Sequence, residues 1–459
     1  VLHRNVICPL ALLCFSGAAL ALDIGFESQL GVSISDNVLG ADAGSELEGQ
    51  IGTAQFGVFG EQKGTTIRGA FSGELYSQRR LDDPDDEFSA VTQFIGAAEW
   101  NITPRTISWY VGDIIGGVRA DDALQSIDDT DEPRRNVFVT GPQFTYELDS
   151  FSRLNARFLY INQSQDDTQL EALYDSTASW EFDTDRGNTW GLRFGNIYTD
   201  NPEENLEGDF NRFSVSGYWR RDRGRNRYEA QLGGTRYDTE DTSINGANAR
   251  FTFNRQLSAQ TAVSVALTRD LRDETLTTLE TLFEDGTGIA PDGDGFFDET
   301  RLDLTYLFKS VDTNFDASVG VGQSDFRLLA DNAGLFVDGD SEDRNNFYAS
   351  GSISRSFTPR TTLTAKLSYE AQDFINRVDN NQSLLGTLEY GYQLTRSFQL
   401  QASYRGIVSD GERTRNAGAG DQLVELIDVI ENRVTVGLRW APPTRASKEQ
   451  TVELKSLLR

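Results

Sequence analysis

Apolar and polar residues alternate one for one through stretch after stretch of this chain. Ile24, Phe26, Leu30, Val32 and Ile34 share one side of the first stretch, and Glu27, Gln29 and Ser33 share the other. A period of two marks a β-strand whose faces meet different surroundings, because successive side chains leave the pleat in opposite directions. The pattern returns at Ile67, Phe71 and Leu75, and again at Phe88, Ala90, Phe94, Ala98 and Trp100. It continues through Leu154, Ala156, Phe158 and Tyr160, then Trp190, Leu192, Phe194 and Tyr198, then Phe213, Val215, Gly217 and Trp219. The C-terminal half is cleaner: Leu302, Leu304, Tyr306 and Phe308 lead to Phe315, Ala317, Val319 and Val321. The last stretches carry Leu363, Ala365, Leu367 and Tyr369, then Phe398, Leu400, Ala402 and Tyr404, then Val434, Val436, Leu438 and Trp440.

The connections sort by length. Short turns such as 101–105, 148–152, 356–360 and 394–397 join tight hairpins, and long polar loops lie between them, at Gly112–Arg135, Asp270–Glu299, Gln323–Asn345 and Ser409–Asn432. Short turns at one end and long loops at the other are the layout of a transmembrane barrel, with the turns periplasmic and the loops extracellular. A soluble sandwich has no reason to sort its connections so. The expected fold class is all-β, a transmembrane antiparallel up-and-down β-barrel. About 20 strands (range roughly 16–20) of roughly 10 residues are expected, the length a tilted strand needs to cross a bilayer. The pair 176–183 and 188–198 decides between about 18 and about 20. Trp100, Tyr160, Trp219, Tyr306, Tyr369 and Trp440 fall at strand ends, where interfacial aromatic girdles sit.

The first residues have another pattern. His3 and Arg4 precede an apolar run from Val6, and Ala19-Leu20-Ala21 offers the small residues a signal peptidase requires. Residues 1–21 are expected to be a signal peptide, 22–440 the barrel, and 441–459 a periplasmic tail, opening on Pro442-Pro443 and then helical in pattern. Both cysteines, Cys8 and Cys14, and the single histidine, His3, lie in the leader. The remaining chain has no disulfide and no thiolate or imidazole ligand to offer.

The closing segment Val434-Thr435-Val436-Gly437-Leu438-Arg439-Trp440, with alternating hydrophobes ending on an aromatic, looks like the C-terminal strand signal of outer-membrane barrels. Together with the Thr-Pro-Arg and Thr-Arg-Ser turns, it resembles the β-barrel porins often encoded with exopolysaccharide export systems. Members of that group commonly end at the aromatic, whereas here a tail follows Trp440. The resemblance implies insertion by the barrel-assembly machinery into outer-membrane lipid and a transport role, with a polysaccharide among the candidate cargoes.

Candidate chemistry narrows the picture further. Without His or Cys after residue 21, a Ser-His-Asp triad, a Cys-His pair and a conventional zinc site are ruled out, and no carboxylate pair stands out as glycosidase machinery. No enzyme is expected. If the apolar faces meet lipid, the alternate positions line the lumen. Arg68, Arg157, Arg193 and Arg250 fall there, as do Arg301, Lys366, Arg405 and Arg439. Acids share that face: Glu74, Glu99, Glu229, Asp303, Asp316 and Glu389. Two readings are open: a mutually paired network that stiffens the wall, or an arginine track that attracts anionic solutes.

The formal net charge of −29 collects in the presumed outer loops, as in 82–87, Asp128-Asp129, Glu203-Glu204 and 338–343. Solvated surface is the plain reading, with cation bridges to lipopolysaccharide as an alternative. Asp292, Asp294 and Asp298 have the oxygen ligands that calcium prefers but not the twelve-residue EF-hand spacing, so the one candidate cofactor is a loop-bound Ca²⁺. So acidic a chain is a poor partner for nucleic acid, which needs a basic surface. The expected function is passive passage of small polar or anionic solutes, or exported polysaccharide, across the outer membrane. The alternative is a non-transporting barrel acting through its surface.

Overall fold

A computed structural model describes residues 22–37, 48–83, 89–116, 135–165, 168–184, 187–200, 209–239, 243–273, 295–330, 336–338, 343–375, 380–416 and 422–442. The proposed leader, most of the tail and several loop tips lie outside these.

The strands are β1 (Leu22–Ser35), β2 (Gly49–Lys63), β3 (Ile67–Arg80), β4 (Ser89–Thr103), β5 (Ile107–Gly116), β6 (Arg135–Glu147) and β7 (Ser152–Gln165). They continue with β8 (Thr168–Thr184), β9 (Asn188–Asp200), β10 (Phe210–Arg223), β11 (Asn226–Thr239), β12 (Ser243–Gln256), β13 (Thr261–Asp273) and β14 (Gly295–Lys309). The rest are β15 (Thr313–Ala330), β16 (Phe336–Asp338), β17 (Arg344–Thr358), β18 (Thr361–Phe374), β19 (Asn380–Gln393), β20 (Phe398–Asn416) and β21 (Gln422–Trp440). Each pairs antiparallel with its neighbour in sequence, except that β15 pairs with β17 and carries the three-residue β16 on its far end. β21 pairs back onto β1, from Ser28↔Trp440 to Ser35↔Arg433, and closes the sheet. The result is a 20-stranded antiparallel barrel with one short accessory strand. Both members of the 176–183 and 188–198 pair are strands, β8 and β9.

Closure joins the first and last strands and so removes the long edges of an open sheet. The seam is sealed inside the wall by the Arg439–Glu27 ion pair, by Ser33 and Thr435 hydroxyls 2.7 Å apart, and by Ser35 Oγ donating to Glu431 at 3.2 Å. Short turns gather at the end that holds Leu22 and Trp440. Among the tightest is the two-residue Gly224-Arg225 link between paired Arg223 and Asn226, where Gly224 takes φ +59°, a conformation a side chain disfavours.

Two expectations need correction. Apart from the three-residue β16, strands run from 10 residues in β5 to 19 in β20 and β21, not uniformly about 10. In addition, much of Ser409–Asn432 is not loop, since β20 continues to Asn416 and β21 starts at Gln422. The ladder continues to satisfy the backbone, but neither end alternates: Glu412–Asn416 is polar throughout, and Leu423, Val424, Leu426 and Ile427 fall at both parities.

The register puts the apolar rows on the outside. Leu30, Val32, Ile34, Leu192, Phe194, Val215, Leu232, Leu302, Leu304, Val319, Leu367, Val434 and Val436 are all exposed there. The rows pass from strand to strand around the whole wall, far beyond the few hundred Å² of apolar patch found on soluble monomers. Hydrocarbon is the solvent that makes such a surface stable. Outward aromatics stack near the turn end, with Trp190–Trp219 at 6.1 Å and Tyr228–Phe253 at 5.0 Å, and near the loop end, with Tyr160–Tyr174 at 5.4 Å. These are the two girdles. The geometry is that of a β-barrel that crosses a membrane.

Candidate functional site

The site is the inner wall. Cross-strand partners share a face, so the register places every candidate lumen residue: Arg68, Arg157, Arg193, Arg250, Arg301, Lys366, Arg405 and Arg439 all project inward. So do Glu74, Glu99, Glu229, Asp303, Asp316 and Glu389.

Many of these charges meet on adjacent strands. Arg68 pairs with Glu99, which also accepts from Tyr110 Oη at 3.2 Å. Arg157 Nη2 lies 3.0 Å from Asp175, and Glu74 accepts from Gln55 at 2.9 Å. Arg301 reaches Asp303 at 2.8 Å and donates to the Tyr348 hydroxyl at 2.9 Å; that hydroxyl in turn donates to Asp303. The Arg301 guanidinium also sits 4.8 Å from the Tyr348 ring centroid. Such threesomes hold a long side chain flat against the wall. Asp316 accepts from Ser352. Three cations differ. Arg193, Arg250 and Lys366 are exposed on the inner face and make no ion pair among the described residues, although Arg193 leans on Tyr218 at 5.5 Å.

Two inner regions are apolar, which the alternation did not announce. On β4–β9, Ile114, Val137, Val139, Leu159, Ile161 and Leu173 form a cluster no more than 9% exposed, flanked by Ile95, Ala97 and Ile197. All of them occupy inward positions.

The second region lies at the loop end of β10–β14. Pairing of β12 with β13 stops at Ala249↔Arg269, although β11–β12 runs on to Ser243 and β13–β14 to Asp273. Beyond Arg269 the β13–β14 hairpin leaves the wall and lies across the inner faces of β10–β12. Arg212 of β10 meets Asp270 of β13 at 3.2 Å, across two intervening strands, and Phe210 and Tyr237 pack on Phe296 with centroids 5.6 and 4.8 Å apart. Tyr237 Oη donates to the Leu271 carbonyl at 3.4 Å. A Cβ on Gly246 would come within 2.6 Å of the Leu271 Cβ, so only glycine admits the hairpin this close. This strap narrows the lumen on one side.

The calcium candidates do not come together within the described residues. Asp292 and Asp294 lie outside them, and Asp298 sits in β14 with its carboxylate 2.5 Å from Arg327 Nη2. Sequence reasoning also missed Tyr218 and Tyr348, which support Arg193 and Arg301 from the inner face. Their inward parity was readable; that they meet an arginine depends on register.

No family model and no curated protein matches the chain. Solved structures similar to it include the siderophore receptor PirA from Pseudomonas aeruginosa, at 10% identity over 91% of this chain and 80% of that one, with a TM-score of 0.47. Pseudomonas aeruginosa OccK2 (OpdF) is 12% identical over 92% of this chain and 98% of its own, with a TM-score of 0.40. Acinetobacter baumannii OccAB4 is 11% identical with the same coverage and a TM-score of 0.38.

Proposed function

We propose that the barrel is a channel for passive passage of polar solutes, with a preference for anions. The observation that carries this reading is the set of three inward cations, Arg193, Arg250 and Lys366, exposed to the lumen without a carboxylate partner among the described residues. Unpaired cations in a confined aqueous path raise the local concentration of anions. A barrel of this size is wide enough for water, since roughly 16–18 strands already leave an aqueous channel. The acidic outer loops oppose anion entry, but at physiological salt their field is screened within about 8 Å, so cations on the path itself dominate selectivity.

Reversal-potential measurements on purified barrel in planar bilayers test this. A stable open step with anion preference is expected, shifting toward cations in the Arg193→Gln/Arg250→Gln/Lys366→Gln variant. Cation preference in the wild type would contradict the proposal. Exported acidic polysaccharide is a larger cargo of the same chemistry. Its test is block of the conductance by polyuronate added from the periplasmic side.

A second reading, a barrel that does not transport and acts through its acidic surface, is favoured by the buried inner patch on β4–β9. An inner wall no more than 9% exposed over that cluster is not lined by water. Electrical silence of a correctly folded barrel would select this reading.

A further inference from the structure

The outer surface of β8–β12 differs from the rest of the lipid-facing wall. Near the turn end it carries a depression of about 700 Å³ walled by Trp180, Trp190, Trp219, Leu192 and Leu232, with Gly217 at its floor. The parity that puts Phe213 and Val215 against lipid also puts Gly217 and Trp219 there, so the depression opens to the membrane. It is apolar, and the two-residue turn at Gly224 places it toward the periplasmic leaflet.

Charge adjoins it on the same face. Arg221 and Arg223 continue the outward column of β10 directly beyond Trp219, and Arg255, paired with Asn226, projects outward from β12. Arg221 lies about 7 Å along the strand from Trp219 at roughly 3.3 Å per residue, which is a headgroup's distance beyond the apolar groove. Its Nε is buried and has no hydrogen-bond partner. Among the described residues no Asp or Glu shares the outward face of β8–β12 at this end: Glu181, Asp183, Asp222 and Glu229 all point inward. On the inner wall many arginines are matched by acids, as in Arg68–Glu99 and Arg157–Asp175. Here three cations face the interface unmatched beside an apolar trough.

We propose that this face binds one anionic phospholipid of the periplasmic leaflet. An acyl chain lies in the Trp180–Trp190–Trp219 trough, and the phosphate meets Arg221, Arg223 and Arg255. The tryptophans supply flat apolar walls, and the glycine floor gives the chain depth. The arginines supply charge-assisted hydrogen bonds to phosphate oxygens, a geometry that guanidinium suits better than ammonium. A second copy of the chain is the other occupant such a trough could take, but it would bring the same three arginines to an interface that shows no acid to receive them. The proposal does not depend on solute passage, and the pore variants Arg193→Gln/Arg250→Gln/Lys366→Gln leave it untouched.

Native mass spectrometry of the full barrel from detergent, titrated with an equimolar mixture of phosphatidylglycerol and phosphatidylcholine, reads the site. A one-to-one phosphatidylglycerol adduct is expected, with preference falling roughly fivefold per arginine removed, and so on the order of twentyfold in Arg221→Ser/Arg223→Ser. Gly217→Leu fills the trough without meeting a neighbour, since a Cβ there finds its nearest atom at 3.9 Å. That variant is expected to weaken binding of both lipids while heat-modifiable migration stays intact. Equal binding of the two lipids by the wild type would overturn the proposal, reducing the face to ordinary annulus. So would a cross-linked dimer that disappears in Gly217→Leu, which would assign the trough to a second copy.

Discussion

The inner wall of β14–β21 and that of β4–β9 are built from the same kind of strand and face the same lumen, yet they obey different rules. On β17–β19 the inward positions include Ser350, Ser352, Ser354, Thr362, Thr364, Lys366, Ser368 and Thr387, a wall mostly made for water. On β5–β8 the inward positions include Ile114, Val137, Val139, Leu159, Ile161 and Leu173, packed to exclude it. Period-two patterning therefore reports a difference in solvent between two faces, not the presence of a strand. Where both faces are apolar the strand persists and the signal fades.

The contrast can be broken at its strongest point by putting a charge into each wall. Leu173→Asp, at a position 0% exposed, places an unpaired carboxylate in an apolar cluster and is expected to destabilise the barrel by roughly 3–5 kcal/mol. Ser368→Asp, on the polar wall and two residues from Lys366, is expected to stay within about 0.5 kcal/mol. Urea unfolding of the barrel in lipid vesicles, followed by tryptophan fluorescence, measures both. Similar losses in the two variants would show that the β4–β9 wall is wet.

A second test sharpens the inside–outside assignment on a single strand. Leu304 of β14 is 49% exposed on the lipid face, and Thr305 beside it points inward. Leu304→Arg is expected to cost about 2–4 kcal/mol if it lies near the bilayer midplane. Thr305→Arg is expected to leave unfolding nearly unchanged and to shift ion selectivity instead. The same urea series, with conductance added, distinguishes the two.

The smallest effect lies in the turn before β7. The Asp149 carboxylate accepts the Phe151 and Ser152 amides at 2.7 and 2.8 Å, and the first of these does most to hold it below the usual carboxylate range. A lowered folded value means that its contribution is complete above the ordinary aspartate value of about 4 and is lost as pH falls through the lowered one. The modest advantage of wild type over Asp149→Ala should thus hold at neutral pH and vanish in acid, measured as urea midpoints across a pH series. An advantage that grew toward acid would contradict the turn assignment.

The barrel itself was legible because most of its wall separates lipid from water. Strands such as β14, β15, β18 and β20 announce themselves by Leu302 to Phe308, Phe315 to Val321, Leu363 to Tyr369 and Phe398 to Tyr404. β5 and β6 are harder to read, since Ile114, Val137 and Val139 add apolar residues to their inner face. The ends of β20 and β21 are hidden because neither alternates: Glu412–Asn416 is polar throughout, while Leu423, Val424, Leu426 and Ile427 fall at both parities. Parity also placed Arg68, Arg301 and the other lumen charges on the inner face. It did not disclose their partners, because Arg301 with Tyr348 and Arg212 with Asp270 are joined by register and by the inward fold of β13–β14. For that strap the one local hint was Phe296-Phe297 at the end of a polar stretch.

The central claim is that one face of each strand meets hydrocarbon and the other meets the interior of a closed barrel. Residues 22–459 contain no cysteine, so single cysteines can be introduced and spin-labelled one at a time. A scan along Leu302–Leu307 in lipid vesicles should show oxygen collision rates peaking at 302, 304 and 306, with a water-soluble nickel reagent peaking at 303, 305 and 307. Collision rates without that two-residue period, or apolar positions shielded from both reagents, would contradict the account.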